Sequence, residues 1–187
     1  MNTKSKNFFF LTFFLCMLFN FCTKKNVNAL SVPLAPTVEN NQSNPARVEL
    51  GKILFFDPRL SGSNWISCAS CHNPAMGWSD GLKIGLGHNF QILGRNTPTI
   101  INTAFGHLQF WDGRAGSLEE QATGPIESTG EMNQNLDDLV KELNAISGYK
   151  ALFDKAYPNE GISKTTIGKA IASFERTVIS KDSPFDK

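Results

Sequence analysis

The chain has 187 residues, enough for one domain or for one domain with a short extension, and it carries 18 basic and 17 acidic residues. Residues 1–29 hold four of the basic residues and none of the acidic ones, so the remainder has 14 basic and 17 acidic residues and a net charge of about −3. That balance argues against nucleic acid as a partner, because proteins that bind it present an excess of positive charge.

The first 29 residues are typical of an export signal. Two lysines precede an apolar run, Phe8 to Phe21, that is shorter than the roughly 20 residues a membrane span requires. Small residues favour cleavage after Ala29, although cleavage before Cys22 would give a lipoprotein, and a retained anchor is a third alternative. The sequence therefore predicts an exported, periplasmic protein, either soluble after cleavage or lipid-anchored through Cys22.

Residues 30–43 are polar and interrupted by prolines, which predicts an extended linker ahead of a single domain over residues 44–187. The domain is expected to begin with a helix that has Asn44 as its N-cap and Pro45 in its first turn. The apolar residues that follow recur with a mostly helical spacing, and the helix is predicted to end before Pro58.

Cys68-Ala69-Ser70-Cys71-His72 fits the C-x-x-C-H pattern of covalent c-type haem attachment, and a short helix is expected to start there. Two thiols attach the ring, and the imidazole that follows reaches the iron as the proximal ligand. A redox-active cysteine pair, half of a zinc site and chance are the alternatives. A zinc site needs further well-spaced ligands, and no cysteine follows Cys71. The pattern therefore predicts one covalently bound haem, held by Cys68, Cys71 and His72.

The stretch from residue 73 to residue 102 is rich in glycine, proline and asparagine and follows neither helical nor strand periodicity. An irregular segment of this length is uncommon in a compact domain unless it is functional, and a haem would give it a group to wrap. His88, in a glycine-rich loop, is a candidate for the sixth iron ligand, with Met76 and Met132 as thioether alternatives. Met76 lies too close to His72 in sequence to cross the ring easily, but the residues alone leave the sixth ligand open.

The C-terminal half contains four predicted helices. Ser117 and Glu120 form a capping-box pattern for a short helix through Ala122 that Gly124-Pro125 is expected to stop. Further helices are predicted after the N-cap Asn135, over residues 149–157, and after the N-cap Ser163. No segment shows convincing strand alternation, so the predicted fold class is all-α, with long irregular loops around the haem.

Several blocks of residues, in order, resemble the bacterial di-haem cytochrome c peroxidase family, which includes the methylamine-utilisation maturation enzymes. The resemblance covers about residues 45–187, and beside the C-x-x-C-H motif it rests on the following stretches: 50–61 (LGKILFFDPRLS), 95–99 (RNTPT), 109–114 (QFWDGR), 120–122 (EQA), 124–126 (GPI), 131–132 (EM) and 167–177 (IGKAIASFERT). It implies that this chain has a cytochrome c-like fold and corresponds to the N-terminal peroxidatic haem domain of the family.

The resemblance also implies roles for single residues. His88 matches the distal histidine that blocks the iron in the resting oxidised enzyme and leaves on activation. Gln121 and Glu131 match the catalytic pair of the distal pocket, where a carboxylate can act as general base and then general acid while an amide donates a hydrogen bond. Trp111 matches the tryptophan between the two haems, and Asn96 matches a ligand of a calcium ion.

The implied reaction is the reduction of hydrogen peroxide to water with electrons from a second haem domain or a small electron-donor cytochrome. The sequence contains one C-x-x-C-H motif, so we expect a truncated or split gene product, or a separate protein that supplies the second haem. A non-catalytic electron-transfer cytochrome and a methylamine-branch haem oxidase are the alternative functions. A homodimer is a further expectation.

Overall fold

The computed structural model describes residues 35–181 and residue 184, and this part of the chain contains helices and isolated bridges but no strand. The prediction of an all-α fold is confirmed. The α-helices of this part, in chain order, are α1 (Pro45–Phe56), α2 (Cys68–Cys71), α3 (Leu118–Gln121), α4 (Gly124–Glu127), α5 (Leu136–Ala145), α6 (Ser147–Ala156) and α7 (Lys164–Glu175). Four 3₁₀ turns lie at Pro58–Leu60, Pro74–Met76, His88–Phe90 and Thr103–Phe105.

Helix α1 begins and ends where its sequence predicts. The Asn44 side chain accepts a hydrogen bond from the Arg47 amide at 3.0 Å, and Pro45 occupies the first turn, where its missing N–H costs nothing. The helix ends at Phe56, two residues before Pro58. It buries Leu50, Leu54 and Phe55 completely, each contributing roughly 1.5–3 kcal/mol of hydrophobic free energy.

The central contact of the fold is between α1 and α7, at Gly51. A β-carbon at Gly51 would lie 1.9 Å from the Ala170 carbonyl oxygen, so only glycine allows the two backbones to approach this closely. Helix α7 is capped by Ser163, as predicted, and buries Ile167, Ala170 and Ile171 against its neighbours. It packs on α3 as well as on α1 and therefore holds the two halves of the domain together.

Helices α5 and α6 complete the core on the other side of α1. Leu136, Leu139 and Leu143 of α5 are buried, as their spacing predicts. In α6, Tyr149 is buried and donates a hydrogen bond to Asp57, which also accepts from the Arg59 backbone and side chain at 2.9 Å. This network links α6 to the end of α1.

Two helix starts and one capping interaction differ from the sequence prediction. Glu120 does not complete a capping box, because its carboxylate accepts from the Gly116 amide instead of from the Ser117 amide. Gly124-Pro125 does not simply end α3 but starts α4, since a proline in the first turn needs no donor of its own. Helix α6 starts at Ser147, two residues earlier than expected.

The part of the predicted linker that the structure describes, residues 35–43, is anchored to the domain through Asn41. This side chain is completely buried and donates to the Glu119 carboxylate at 2.7 Å and to the Lys169 carbonyl at 2.9 Å. Its oxygen accepts from the Tyr157 hydroxyl at 3.2 Å. A buried side-chain amide with all these hydrogen bonds fixes the linker on α7. The polar composition of the linker alone does not predict this attachment.

The predicted export signal, residues 1–29, lies outside the described residues. Within the described part of the chain, no helix has both the length and the apolar composition needed to cross a membrane.

We expect Gly51→Ala to destabilise the domain by at least about 2–3 kcal/mol, because the added methyl would force α1 away from the Ala170 carbonyl. Gly148→Ala is the matched control, since Gly148 lies in helix α6 with open space around it and should gain roughly 0.5–1 kcal/mol. Urea unfolding of both variants measures the difference. Equal free energies of unfolding would show that α1 and α7 do not need this close contact.

We expect the contribution of Asp57 to stability to depend on pH. Burial raises its pKa, but the hydrogen bonds from Tyr149 and Arg59 outweigh burial and hold the pKa below the usual 3.8. The folded state therefore favours the carboxylate, and this stabilisation is present above about pH 3.8 and lost as the pH falls further. Asp57→Asn should cost roughly 1–3 kcal/mol at neutral pH, and the difference from the natural chain should shrink in acid, as urea unfolding at several pH values would show.

Candidate functional site

A cavity of about 420 Å³ lies where α1, α2, α3 and α7 meet, a size typical of cofactor sites. Its apolar lining includes Phe55, Ile66, Ile100, Leu118, Met132 and Ile171. The side chains with chemical function that line it are Cys68, Cys71, His72, Arg95, Asn96, Trp111, Arg114, Gln121, Glu131 and Glu175. Most residues that the sequence predicted for one site are thus brought together around one cavity.

Cys68 and Cys71 stand at the two ends of the four-residue helix α2, and both are free thiols. Burial, with the neighbouring Glu175, raises the pKa of Cys68 to about 12. Burial, with Asp80 and Glu131, raises the pKa of Cys71 to about 11. A redox-active C-x-x-C pair needs a lowered thiol pKa, so this environment disfavours that alternative.

The His72 ring is held in one tautomer. Its Nδ1 lies 3.3 Å from the Trp78 carbonyl oxygen, which can only accept, so Nδ1 carries the proton and Nε2 keeps its lone pair. Burial lowers the pKa of His72, and hydrogen bonds to the Trp78 and Pro98 carbonyls partly oppose that change. A neutral imidazole whose Nδ1 is fixed as a donor leaves Nε2 as the nitrogen that could bind an iron.

The irregular segment after His72 is fixed by hydrogen bonds between its own two ends. Ser79 donates to the Thr97 carbonyl at 2.7 Å, and the Thr97 hydroxyl donates to the Asp80 carboxylate at 2.7 Å. Thr97 is buried although it lies in a loop. Residues 73–102 therefore form a closed, bonded wrap along one side of the cavity, as predicted for a segment that surrounds a ligand.

The loop that carries His88 is attached to the segment that carries Glu131. The His88 amide donates to the Gly130 and Glu131 carbonyls at 3.0 and 2.8 Å. A β-carbon at Gly87 would lie 2.0 Å from the Gly130 oxygen, so glycine is needed for this approach. The Cys71 sulfur also lies 3.5 Å from the Leu86 carbonyl, which places the loop beside α2. The two predicted distal groups therefore belong to one joined backbone unit.

The structure separates the candidates for the sixth ligand. His88 does not line the cavity, but its Nδ1 is buried without a hydrogen-bond partner among the described residues, which leaves a ligand-capable nitrogen unused. Met132 is buried and does line the cavity, whereas Met76 is 52% exposed and does not. His107 is exposed. The assignment of His88 as distal ligand stays a prediction.

Gln121 and Glu131 both line the cavity and are partly buried. Gln121 is the last residue of α3, and Glu131 follows α4 in a turn that the Glu131 amide closes with the Ser128 carbonyl at 3.0 Å. An amide donor and a carboxylate that face one enclosed space can bind a small polar molecule and move a proton across it.

Trp111 and Asn96 meet at the mouth of the cavity. The Trp111 indole N–H donates to the Asn96 carbonyl at 2.9 Å, yet 63% of the Trp111 side chain is exposed. Asp112 next to it pairs with both Arg95 and Arg114, each at 2.9 Å, so two cations share one anion and the mouth keeps a positive charge. The role of Asn96 as a calcium ligand stays a prediction.

Glu175, like Arg95 and Arg114, is a site residue that the sequence analysis did not single out. It lines the cavity from the last turn of α7, one turn after Ile171, and only 5% of it is exposed. The available signal was a carboxylate four residues after Ile171, inside an otherwise apolar helical face.

Two cysteines at the attachment spacing, a neutral imidazole, apolar walls and a cationic mouth fit a covalently attached haem, whose ring is apolar and whose carboxylates are charged. Residues 45–187 match the family described as di-haem cytochrome c peroxidase. The chain is 47% identical over 153 residues to the methylamine utilization protein MauG of Methylorubrum extorquens, covering 81% of this chain and 43% of that protein. It is 42% identical over 164 residues to the cytochrome c551 peroxidase of Pseudomonas aeruginosa, covering 85% and 47%.

A solved structure, of a MauG-like protein associated with microbial copper homeostasis, superposes with a TM-score of 0.78 at 30% identity. The superposition covers 84% of this chain and 47% of that one. The chain thus spans less than half the length of these relatives.

We expect Gly87→Ala to loosen the junction between the His88 loop and the Glu131 segment, because the added methyl would collide with the Gly130 carbonyl. Hydrogen exchange at the His88 amide should become roughly tenfold faster or more, reflecting a local loss of about 1.4 kcal/mol. Gly94→Ala is the control, since Gly94 has open space around it and should leave exchange unchanged. The same exchange rate in both variants would contradict the tight junction.

Proposed function

The chain belongs to the di-haem cytochrome c peroxidase family, and we propose that residues 44–187 form its peroxidatic haem domain, which reduces hydrogen peroxide to water with electrons from another haem. The carrying observation is that one cavity is lined by the attachment motif and by Gln121 and Glu131. When bound, the haem supplies an iron that exchanges electrons with the donor and with peroxide. A domain that only carries electrons has no need for an amide and a carboxylate in the lining of the cavity.

In this proposal Cys68 and Cys71 would attach the haem and His72 would hold its iron through Nε2. Arg95 and Arg114 line the cavity and share the single anion Asp112, so they would have positive charge left to pair with the haem carboxylates. Attachment of this kind takes place outside the cytoplasm. The proposal therefore includes a periplasmic location and residues 1–29 as the export signal, ahead of a linker over residues 30–43.

Glu131 moves the proton that splits peroxide. Its carboxylate accepts the proton from one peroxide oxygen and returns it to the other, so that the second oxygen leaves as water. The Gln121 amide donates a hydrogen bond to the peroxide and holds it beside the carboxylate. The complete reaction takes up two electrons and two protons for each peroxide and releases two waters.

His88 controls access to this pair. As the distal ligand it would fill the position that peroxide needs, and its loop would have to open before turnover. Because the His88 amide is hydrogen-bonded to the Gly130 and Glu131 carbonyls, opening of the loop would change its position relative to Glu131.

The electrons come from a second haem, on a domain or a small cytochrome that approaches the mouth of the cavity. Trp111 lies there, with most of its side chain exposed and its indole fixed by Asn96, and serves as the contact between the two haems. The domain alone should therefore turn over slowly without its donor.

A second candidate function is a haem oxidase of the methylamine branch, acting on a protein or organic substrate. It is favoured by the 47% identity with a methylamine utilization protein. Both candidates use the same haem pocket, and turnover assays with a reduced small cytochrome and with a protein or amine substrate would distinguish them.

We expect Glu131→Gln to retain haem and lower peroxide turnover by roughly 100-fold or more, because an amide cannot accept the peroxide proton. Glu127→Gln, at an exposed carboxylate of α4, is the matched control and should keep full activity. The test is peroxide-dependent oxidation of a reduced small cytochrome by the haem-loaded chain. The haem content of each variant comes from its absorbance.

Two results would overturn the proposal. If the chain carries no haem after expression with a working cytochrome c maturation system, the proposal that it is a haem domain is wrong. Full turnover by the haem-loaded Glu131→Gln variant, with a competent electron donor, would remove the catalytic role of the carboxylate.

A further inference from the structure

Glu175 presents an unsatisfied carboxyl group to the cavity. It is 5% exposed and lines the cavity wall with Ile171. Its Oε2 is buried and has no hydrogen-bond partner among the described residues. Because an unpaired buried carboxylate costs free energy, folding alone does not account for an acid at this position.

The nearest cation does not neutralise Glu175. The Arg176 guanidinium makes a two-bond pair with the Glu119 carboxylate, at 2.6 and 2.9 Å, and donates a third bond to the Pro36 carbonyl at 3.1 Å. The N–H donors of Arg176 are thus used by Glu119 of α3 and by Pro36 of the linker. Arg176 therefore attracts the Glu175 carboxylate without pairing with it.

The other elements around Glu175 offer it no partner. From α2 the Cys68 thiol faces it, and from α3 the Glu119 carboxylate acts on it. Helix α1 turns Leu50, Leu54 and Phe55 inward, which are apolar. Burial raises the pKa of Glu175 to about 8, Arg176 lowers it and Glu119 raises it. The group therefore exchanges its proton close to neutral pH.

We propose that Glu175 is a redox-linked proton-binding site: its carboxylate takes a proton from solvent when the bound haem accepts one electron from an external donor, and releases it when the electron leaves. The reason is electrostatic. An added electron makes the cavity more negative, and in a poorly polarisable interior that change acts strongly on a nearby carboxylate. One electron and one proton enter together, so the charge inside the domain does not change.

This inference rests on the proposed function only in that a haem fills the cavity, and it is independent of peroxide turnover. Its consequence is a midpoint potential that falls as the pH rises. For a process that couples one proton to one electron, a tenfold change in proton concentration shifts the potential by about 59 mV.

The test is a spectroelectrochemical titration of the haem-loaded chain, with redox mediators as electron donor, from about pH 6 to about pH 10. The natural chain should show a potential that depends on pH over part of this range. Glu175→Gln removes the proton site with almost no change in shape and should lose that dependence. Glu127→Gln is the matched control and should retain it.

A redox-induced infrared difference spectrum gives a second readout on the natural chain. Reduction at a pH above the pKa of Glu175 in the oxidised chain should produce the carbonyl band of a protonated carboxylic acid, and Glu175→Gln should lack this band. Equal pH dependence in the natural chain and in Glu175→Gln would overturn the inference while leaving the haem domain intact. If the variant fails to hold haem, absence of the infrared band in the natural chain overturns it instead. A chain that takes up no haem overturns both proposals.

Discussion

The close contact between α1 and α7 is the constraint on which the cavity depends. At Gly51 the α1 backbone lies directly against the Ala170 carbonyl oxygen of α7. This contact fixes the orientation of the two helices and therefore which of their side chains line the cavity. One turn later α1 presents Phe55, and α7 presents Ile171 and Glu175, to the same enclosed space. A larger residue at Gly51 would separate the helices and open the wall of the site, so packing in the core and geometry at the site have one origin.

The opposite wall is built without regular structure and depends on hydrogen bonds instead. Residues 73–102 bury few large side chains, but Thr97 joins Ser79 and Asp80, and the Trp78 carbonyl orients the His72 ring. The same segment thus closes the cavity and sets the tautomer of the residue proposed to bind iron. Its glycines and prolines, which suggest disorder when counted, allow main chain to reach the positions where these bonds form.

The sequence predicted local features better than distant ones. The N-caps Asn44, Asn135 and Ser163 act on amides two or three residues away and could be identified directly. The attachment motif is likewise local. By contrast, the burial of Asn41 depends on partners 78 and 128 residues away, and no periodic pattern encodes such contacts. The position of Glu175 in the cavity wall could not be predicted for the same reason, because it depends on how α7 packs on α1.

The joined backbone of the His88 loop and the Glu131 segment gives the site a property that neither residue has alone. If His88 leaves the distal position, the His88 amide must either break its two bonds to Gly130 and Glu131 or move that segment with it. Each such bond contributes only about 0.5–1.5 kcal/mol, so a modest change in charge within the cavity is sufficient to shift the balance. Opening the iron and moving the acid would then be one structural event.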